Sequence, residues 1–274
     1  MNLRSIIALL ATTVAAPLAH GQAADAARIL MKTAANYRAA STFRCESAWT
    51  HKAGDKEYSA SVVVAAKRPN LYRLSMTGSY CDTEVWSDGK QLTALRVDRS
   101  VYTRTAASRQ LIGVDTLKGI AVPTPASRVI TLLLEGRWQD RRDDLASRMR
   151  SAEVSGPQSF GDQLAWVLSF DYDADHSAKL YIDNDRYLVR RVALFSKGAP
   201  VIVETVRTVE IDKPLPTDGF AVKLPEGARQ LTALPAPDSP SVPTSITVRT
   251  YDDRQIRFSD LRGKMIFLTF FFST

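Results

Sequence analysis

Hydrophobic and polar positions change their period along this chain. From Ala24 to Ala40 the residues Ala26, Leu30, Ala34 and Tyr37 recur at helical spacing, which predicts a helix with one buried face. Beyond it the period drops to two. Thr42–Thr50, Tyr58–Ala66 and Leu71–Thr77 read as successive strands, with Gly54-Asp55 and Pro69-Asn70 as breakers. In the third of these, Tyr72, Leu74 and Met76 share one face, and Arg73, Ser75 and Thr77 share the other. Thr83–Ser87 and Gln91–Val97 follow, joined through the turn Asp88-Gly89. Links this short cannot hold crossovers, so the strands form an antiparallel meander.

The middle of the chain loses the two-residue period. An irregular stretch from Ser108 leads into Ser127–Leu134 and Arg141–Arg150, both helical in character. Ser127 is expected to cap the first, and Asp144 with Arg148 makes an i,i+4 pair in the second. Strands then return. Gln163–Tyr172 puts Leu164, Trp166, Leu168, Phe170 and Tyr172 on one face, and Ala165, Val167, Ser169 and Asp171 on the other. Lys179–Asp183, Leu188–Phe195 and Val201–Ile211 follow, and Phe220 to Gly227 closes the block. The expected class is α+β, with one large, curved antiparallel sheet interrupted by helices.

The two ends read differently. Arg4, the short apolar stretch Ile6–Ala16 and the small residues around Ala19-His20-Gly21 have the form of a secretory signal peptide cut after about Gly21. No cysteine stands near that site to accept a lipid. The expected divisions are residues 1–21 signal peptide, 22–230 main domain, 231–243 a Pro-rich linker and 244–274 a segment too short for a domain of its own.

Composition narrows the classes further. The 274 residues are 45% hydrophobic and 24% charged, which excludes collagen-like, disordered and coiled-coil proteins. The net charge of +7 comes from Lys and Arg scattered without interleaved aromatics, so it carries no nucleic-acid signature and leaves anionic membrane surfaces open. Catalytic and cofactor motifs are missing: there is no G-x-S-x-G, no phosphate-binding glycine loop and no Cys/His set at zinc spacing. No cofactor and no metal are expected. Asp171, Asp173 and Asp175 have the spacing of the first calcium-loop ligands, but His176 replaces the turn glycine and Ile182 the bidentate Glu, so they read as a solvated strand end. Cys45 and Cys81 can pair as a structural disulfide in an oxidising compartment or remain two separate buried thiols.

Two short motifs carry a resemblance. Lys67-Arg68-Pro69-Asn70-Leu71-Tyr72-Arg73, followed by Trp86-Ser87-Asp88-Gly89-Lys90, resembles the periplasmic lipoprotein carriers of the LolA and LolB type. The order of elements agrees, and Phe220 to Gly227 fits the F-x-x-x-x-P-x-G close of that family. The resemblance covers roughly Ala24 to Leu231. It implies a half-barrel sheet wrapped over lid helices, a lumen for acyl chains, and a periplasmic location. It further implies that Arg68 bonds the lid and gates the cavity, and that Tyr72 lines the lumen. Leu74, Met76, Trp166, Leu168 and Phe170 then join the lining; without the resemblance they read as plain core, and for each aromatic taken singly core is the better reading. Acylated or apolar ligands, lipoproteins among them, are the implied partners.

The tail resembles a second family. Ala236-Pro237-Asp238, Ile246–Thr250, Leu261-Arg262-Gly263-Lys264 and the apolar run ending at Phe272-Ser273-Thr274 look like the opening of an exported thioredoxin-like domain of the TlpA/ResA type. The resemblance implies a hairpin and a strand, with a C-x-x-C redox site expected next in such families; no such pair stands in this chain. Three function classes follow: a non-catalytic binding domain for an acyl chain, lipoprotein or other apolar ligand; the front part of a periplasmic thiol-disulfide oxidoreductase; or a structural scaffold of the envelope.

Overall fold

The computed structural model describes residues 18–108, 124–141, 143–235, 247–249 and 255–257. The chain divides into a unit from Met1 to Leu234 and a second from Pro235 to Thr274. In the first, α1 (Leu18–Ala39) leads into β1 (Thr42–Ala53), β2 (Lys56–Lys67), β3 (Leu71–Gly78), β4 (Thr83–Asp88), β5 (Gln91–Arg96) and β6 (Val101–Ala106). Then come α2 (Pro125–Leu134), α3 (Asp144–Arg150), β7 (Glu153–Phe160), β8 (Gln163–Asp171), β9 (His176–Asp183), β10 (Val189–Ser196), β11 (Ala199–Ile211) and β12 (Arg229–Gln230). All twelve strands join one sheet in the order β12-β6-β5-β4-β3-β2-β1-β11-β10-β9-β8-β7. It is an open, curved sheet made of two meanders. The pairing of β1 with β11 joins them, and only the short β12 runs parallel to its neighbour.

The alternation in sequence becomes rows of side chains across one face. Phe43, Ala66, Tyr72 and Ser87 stand in register; so do Cys45, Val64, Leu74, Val85 and Ala94. Most of these side chains are buried, because α1 and α2 cover that face. The α1 residues Ala26, Ile29, Leu30, Thr33, Ala34 and Tyr37 form its buried stripe. Tyr37 is fixed there by accepting a hydrogen bond from the Val189 amide at 3.1 Å and by packing on Phe43.

Several local expectations change. α1 runs through the expected cleavage site at Gly21, while residues 1–17 lie outside the described residues. β6 and β7 are strands that the sequence pattern did not suggest. β7 is an edge strand bulged between Ser155 and Gln158, and its mainly exposed residues leave no apolar alternation to read. β8 is buried partly on both faces: Leu168 and Phe170 face the main core, but Ala165 and Val167 are buried on the other side. Phe220 to Gly227 is no strand; a 3-10 turn at Thr217–Phe220 leads into an irregular segment that packs outside β3 and β4. Cys45 and Cys81 are both free, so no disulfide joins them. Cys45 lies on β1 and Cys81 precedes β4, at least two strand spacings away or roughly 10 Å, too far for an S–S bond.

In the second unit, Thr247–Arg249 (β13) pairs antiparallel with Gln255–Arg257 (β14). The expected strand at Met265–Phe272 lies outside the described residues.

Candidate functional site

The two motifs that carry the family resemblance are physically coupled. Leu71 of β3 pairs with Asp88 of β4, which brings Asn70 beside the Asp88-Gly89 turn. The Asn70 amide donates to the Gly89 carbonyl at 2.9 Å, and Ser87 Oγ donates to the Asn70 carbonyl at 2.7 Å. Asp88 accepts from the Lys90 and Gln91 amides, which pull its carboxyl below the usual carboxylate range. Gly89 has φ +90°, and a Cβ there would meet Asn70 Oδ1 at 3.1 Å. The motif pair therefore sets the β2–β3 turn against the β4–β5 turn.

That turn aims Arg68. Its Nε donates to the Ala40 carbonyl at 2.9 Å, just past the end of α1. Its NH2 group donates to the carbonyl of Leu134, the last residue of α2, at 3.0 Å. A guanidinium at two helix C-termini meets free carbonyls and the negative ends of both helix dipoles. Arg68 itself is exposed to solvent.

Tyr72 lies one step further in, 1% exposed. Its hydroxyl bonds Thr131 Oγ1 of α2 at 3.1 Å, and Thr131 in turn donates to the Ser127 carbonyl. Burial pushes the Tyr72 phenol well above its ordinary range. Leu74 and Met76 continue the same face and are buried.

The other end of α2 is held by a residue that the sequence reading did not single out. Glu204 of β11 is 0% exposed. It accepts from the Ala126 amide at 2.8 Å, the Ser127 amide at 3.2 Å, Ser127 Oγ at 2.6 Å and Ser47 Oγ at 2.7 Å. The expected Ser127 cap is thus replaced. The helix starts at Pro125, so Ser127 sits inside the first turn and donates its hydroxyl to the carboxylate that does the capping. Burial pushes the Glu204 carboxyl up, against the pull of these hydrogen bonds. The available signal was a lone acid inside the apolar run Ile202–Val206.

Trp166, Leu168 and Phe170 lie on the same covered face but not in the same place. Five strands separate β8 from β3, and α3 packs on β8 there. The Trp166 indole N–H is buried and makes no hydrogen bond with a described residue. Asp173, between Asp171 and Asp175, accepts from the Asp175 and His176 amides and from His176 Nδ1, which shapes the β8–β9 turn. On the opposite face of the sheet, a hollow of about 430 Å³ opens beneath the segment after Thr217, lined by Trp86, Leu95, Val97 and Pro225 and by the Arg73–Glu84 ion pair.

A family profile described as a predicted periplasmic protein (DUF2092) matches residues 26–234. The chain belongs to this family. As a DUF2092 member it is periplasmic, and none of its described helices is long and apolar enough to cross a membrane. No curated protein matches the sequence. Among solved structures, an uncharacterized conserved protein from Thermus thermophilus is similar at 12% identity and a TM-score of 0.49, covering 76% of this chain and 98% of its own. A LolA superfamily protein from Nitrosomonas europaea is similar at 14% identity and a TM-score of 0.33, covering 72% and 97%. The MucA/MucB complex of Pseudomonas aeruginosa contains a chain similar at 15% identity and a TM-score of 0.41; the match covers 73% of this chain and 61% of that one. The family match stops at residue 234, so the thioredoxin-like resemblance of the tail rests on its sequence alone.

Proposed function

We propose that the unit ending at Leu234 is a periplasmic carrier that takes an acyl chain, or the acyl group of a lipoprotein, onto the sheet face beneath α2. The observation that carries this reading is the construction of the cover. A helix of ten residues roofs a continuous apolar face, and polar contacts at Arg68, Tyr72 and Glu204 tie it down. Apolar roofs over apolar floors can exchange one apolar partner for another: an acyl chain slid between them replaces the contacts it breaks, and each CH₂ taken from water contributes about 0.8 kcal/mol. Directional tethers at the ends of the helix set the closed position without filling the interface. In this reading Arg68 gates, and Tyr72, Leu74 and Met76 form the floor. Trp166, Leu168 and Phe170 extend it along the far wing. Residues 22–230 then make up the carrier domain, with 231–243 as linker.

Titration with a fluorescent fatty acid tests the reading. Saturable binding is expected. Tyr72→Glu, which puts a charge into the buried floor, is expected to weaken it at least about tenfold. Binding that Tyr72→Glu leaves untouched removes the floor from the site.

A further inference from the structure

The two ends of α2 are held by opposite charges in opposite surroundings. At the N-terminus the tether is dry: Glu204 is fully buried, and four donors surround its carboxylate. At the C-terminus the tether reaches the surface: Leu134 is buried, but the Arg68 guanidinium that holds its carbonyl is on an exposed residue and can exchange that bond for water. A hydrogen bond at the surface is exchanged for one to water at little net cost. A buried carboxylate pulled from its donors leaves charge and amides unsatisfied. Two residues past the end of α2, Gly136 has φ +73°, a left-handed conformation that glycine adopts without steric cost, and a 3-10 turn follows.

We infer that α2 opens at its Arg68 end and pivots on Glu204, so that a ligand enters between the last turn of α2 and the β2–β3 turn. This rests on the carrier reading for its purpose but not for its test. Glu204 is a positioning residue: it fixes the axis about which the lid tilts, and it need not touch the ligand.

Hydrogen exchange resolved at single amides, on the full chain without ligand, separates the two ends. The Ala126 and Ser127 amides report the Glu204 tether, and the Glu135 and Gly136 amides, bonded to the Thr131 and Leu133 carbonyls, report the last turn. In an ordinary helix the first amides have no partner and exchange first. Here the order is expected to reverse, with Glu135 and Gly136 exchanging at least about tenfold faster than Ala126 and Ser127. Arg68→Leu should accelerate the last turn further and leave Ala126 and Ser127 protected; Glu204→Ala should release all four. Exchange of the unsubstituted chain in low urea gives the same ordering should a variant fail to fold. The inference is overturned if Ala126 and Ser127 exchange with or before the last turn in the native chain, or if Arg68→Leu frees both ends alike. The predicted order together with no fatty-acid binding would retain the hinge and remove the carrier.

Discussion

At the scale of residues, Glu204 is a fully buried carboxyl with four hydrogen-bond donors around it. A carboxyl buried on a sheet face is normally a liability. Here it serves as the cap for a helix whose Thr124 makes no side-chain cap bond. Its raised pKa fixes a sign. A group whose folded pKa lies above its unfolded one contributes stability below the ordinary carboxylate range, and that stability is lost as pH rises through the folded value. Urea midpoints measured from about pH 4 to pH 8 should therefore fall with rising pH by an amount that Glu204→Gln abolishes. Glu204→Ala, which strips the cap and leaves buried donors unpaired, should cost roughly 2–4 kcal/mol across the range. An unchanged pH profile in Glu204→Gln would show that the carboxyl titrates normally.

At the scale of elements, legibility followed periodicity. α1 and the strands β1 to β3 were readable because one face of each is more deeply buried than the other, as in the alternation of Tyr72, Leu74 and Met76 with Arg73 and Ser75; β4 and β5, buried on both faces in part, were read from the Asp88-Gly89 turn between them. β7 was not, since an exposed, bulged edge strand containing Gly156 and Pro157 carries no such contrast. β8 was half readable: its second buried face at Ala165 and Val167 breaks the two-sided pattern. The tether from Glu204 to α2 was out of reach for a different reason. It joins residues 77 and 78 positions apart, and no local pattern couples them. The motif pair around Asn70 and Gly89 was legible as sequence, and the structure supplies its cause in the two turns that share hydrogen bonds. Gly89→Ala should destabilise the unit by about 1–2 kcal/mol, from the left-handed backbone alone. Thermal unfolding measures it; a loss near zero would mean that the turn relaxes away from Asn70.

At the scale of the whole molecule, the unit ending at Leu234 is one open sheet whose covered face is closed by helices, in a periplasmic family. Among the described residues, two surfaces can be set against each other as the place of an apolar ligand. One is the face beneath α2, lined by Tyr72, Leu74 and Met76. The other is the opposite hollow lined by Trp86, Leu95 and Val97. They lie on opposite faces of the same sheet, so a reagent that marks its neighbours tells them apart. The most direct measurement is photo-crosslinking with a fatty acid that carries a diazirine in its chain, followed by peptide mapping. The carrier account predicts marks on Tyr72, Leu74 or Met76 and on α2, competed away by unlabelled fatty acid. Marks confined to Trp86, Leu95 and Val97, or no competed marks at all, would contradict it.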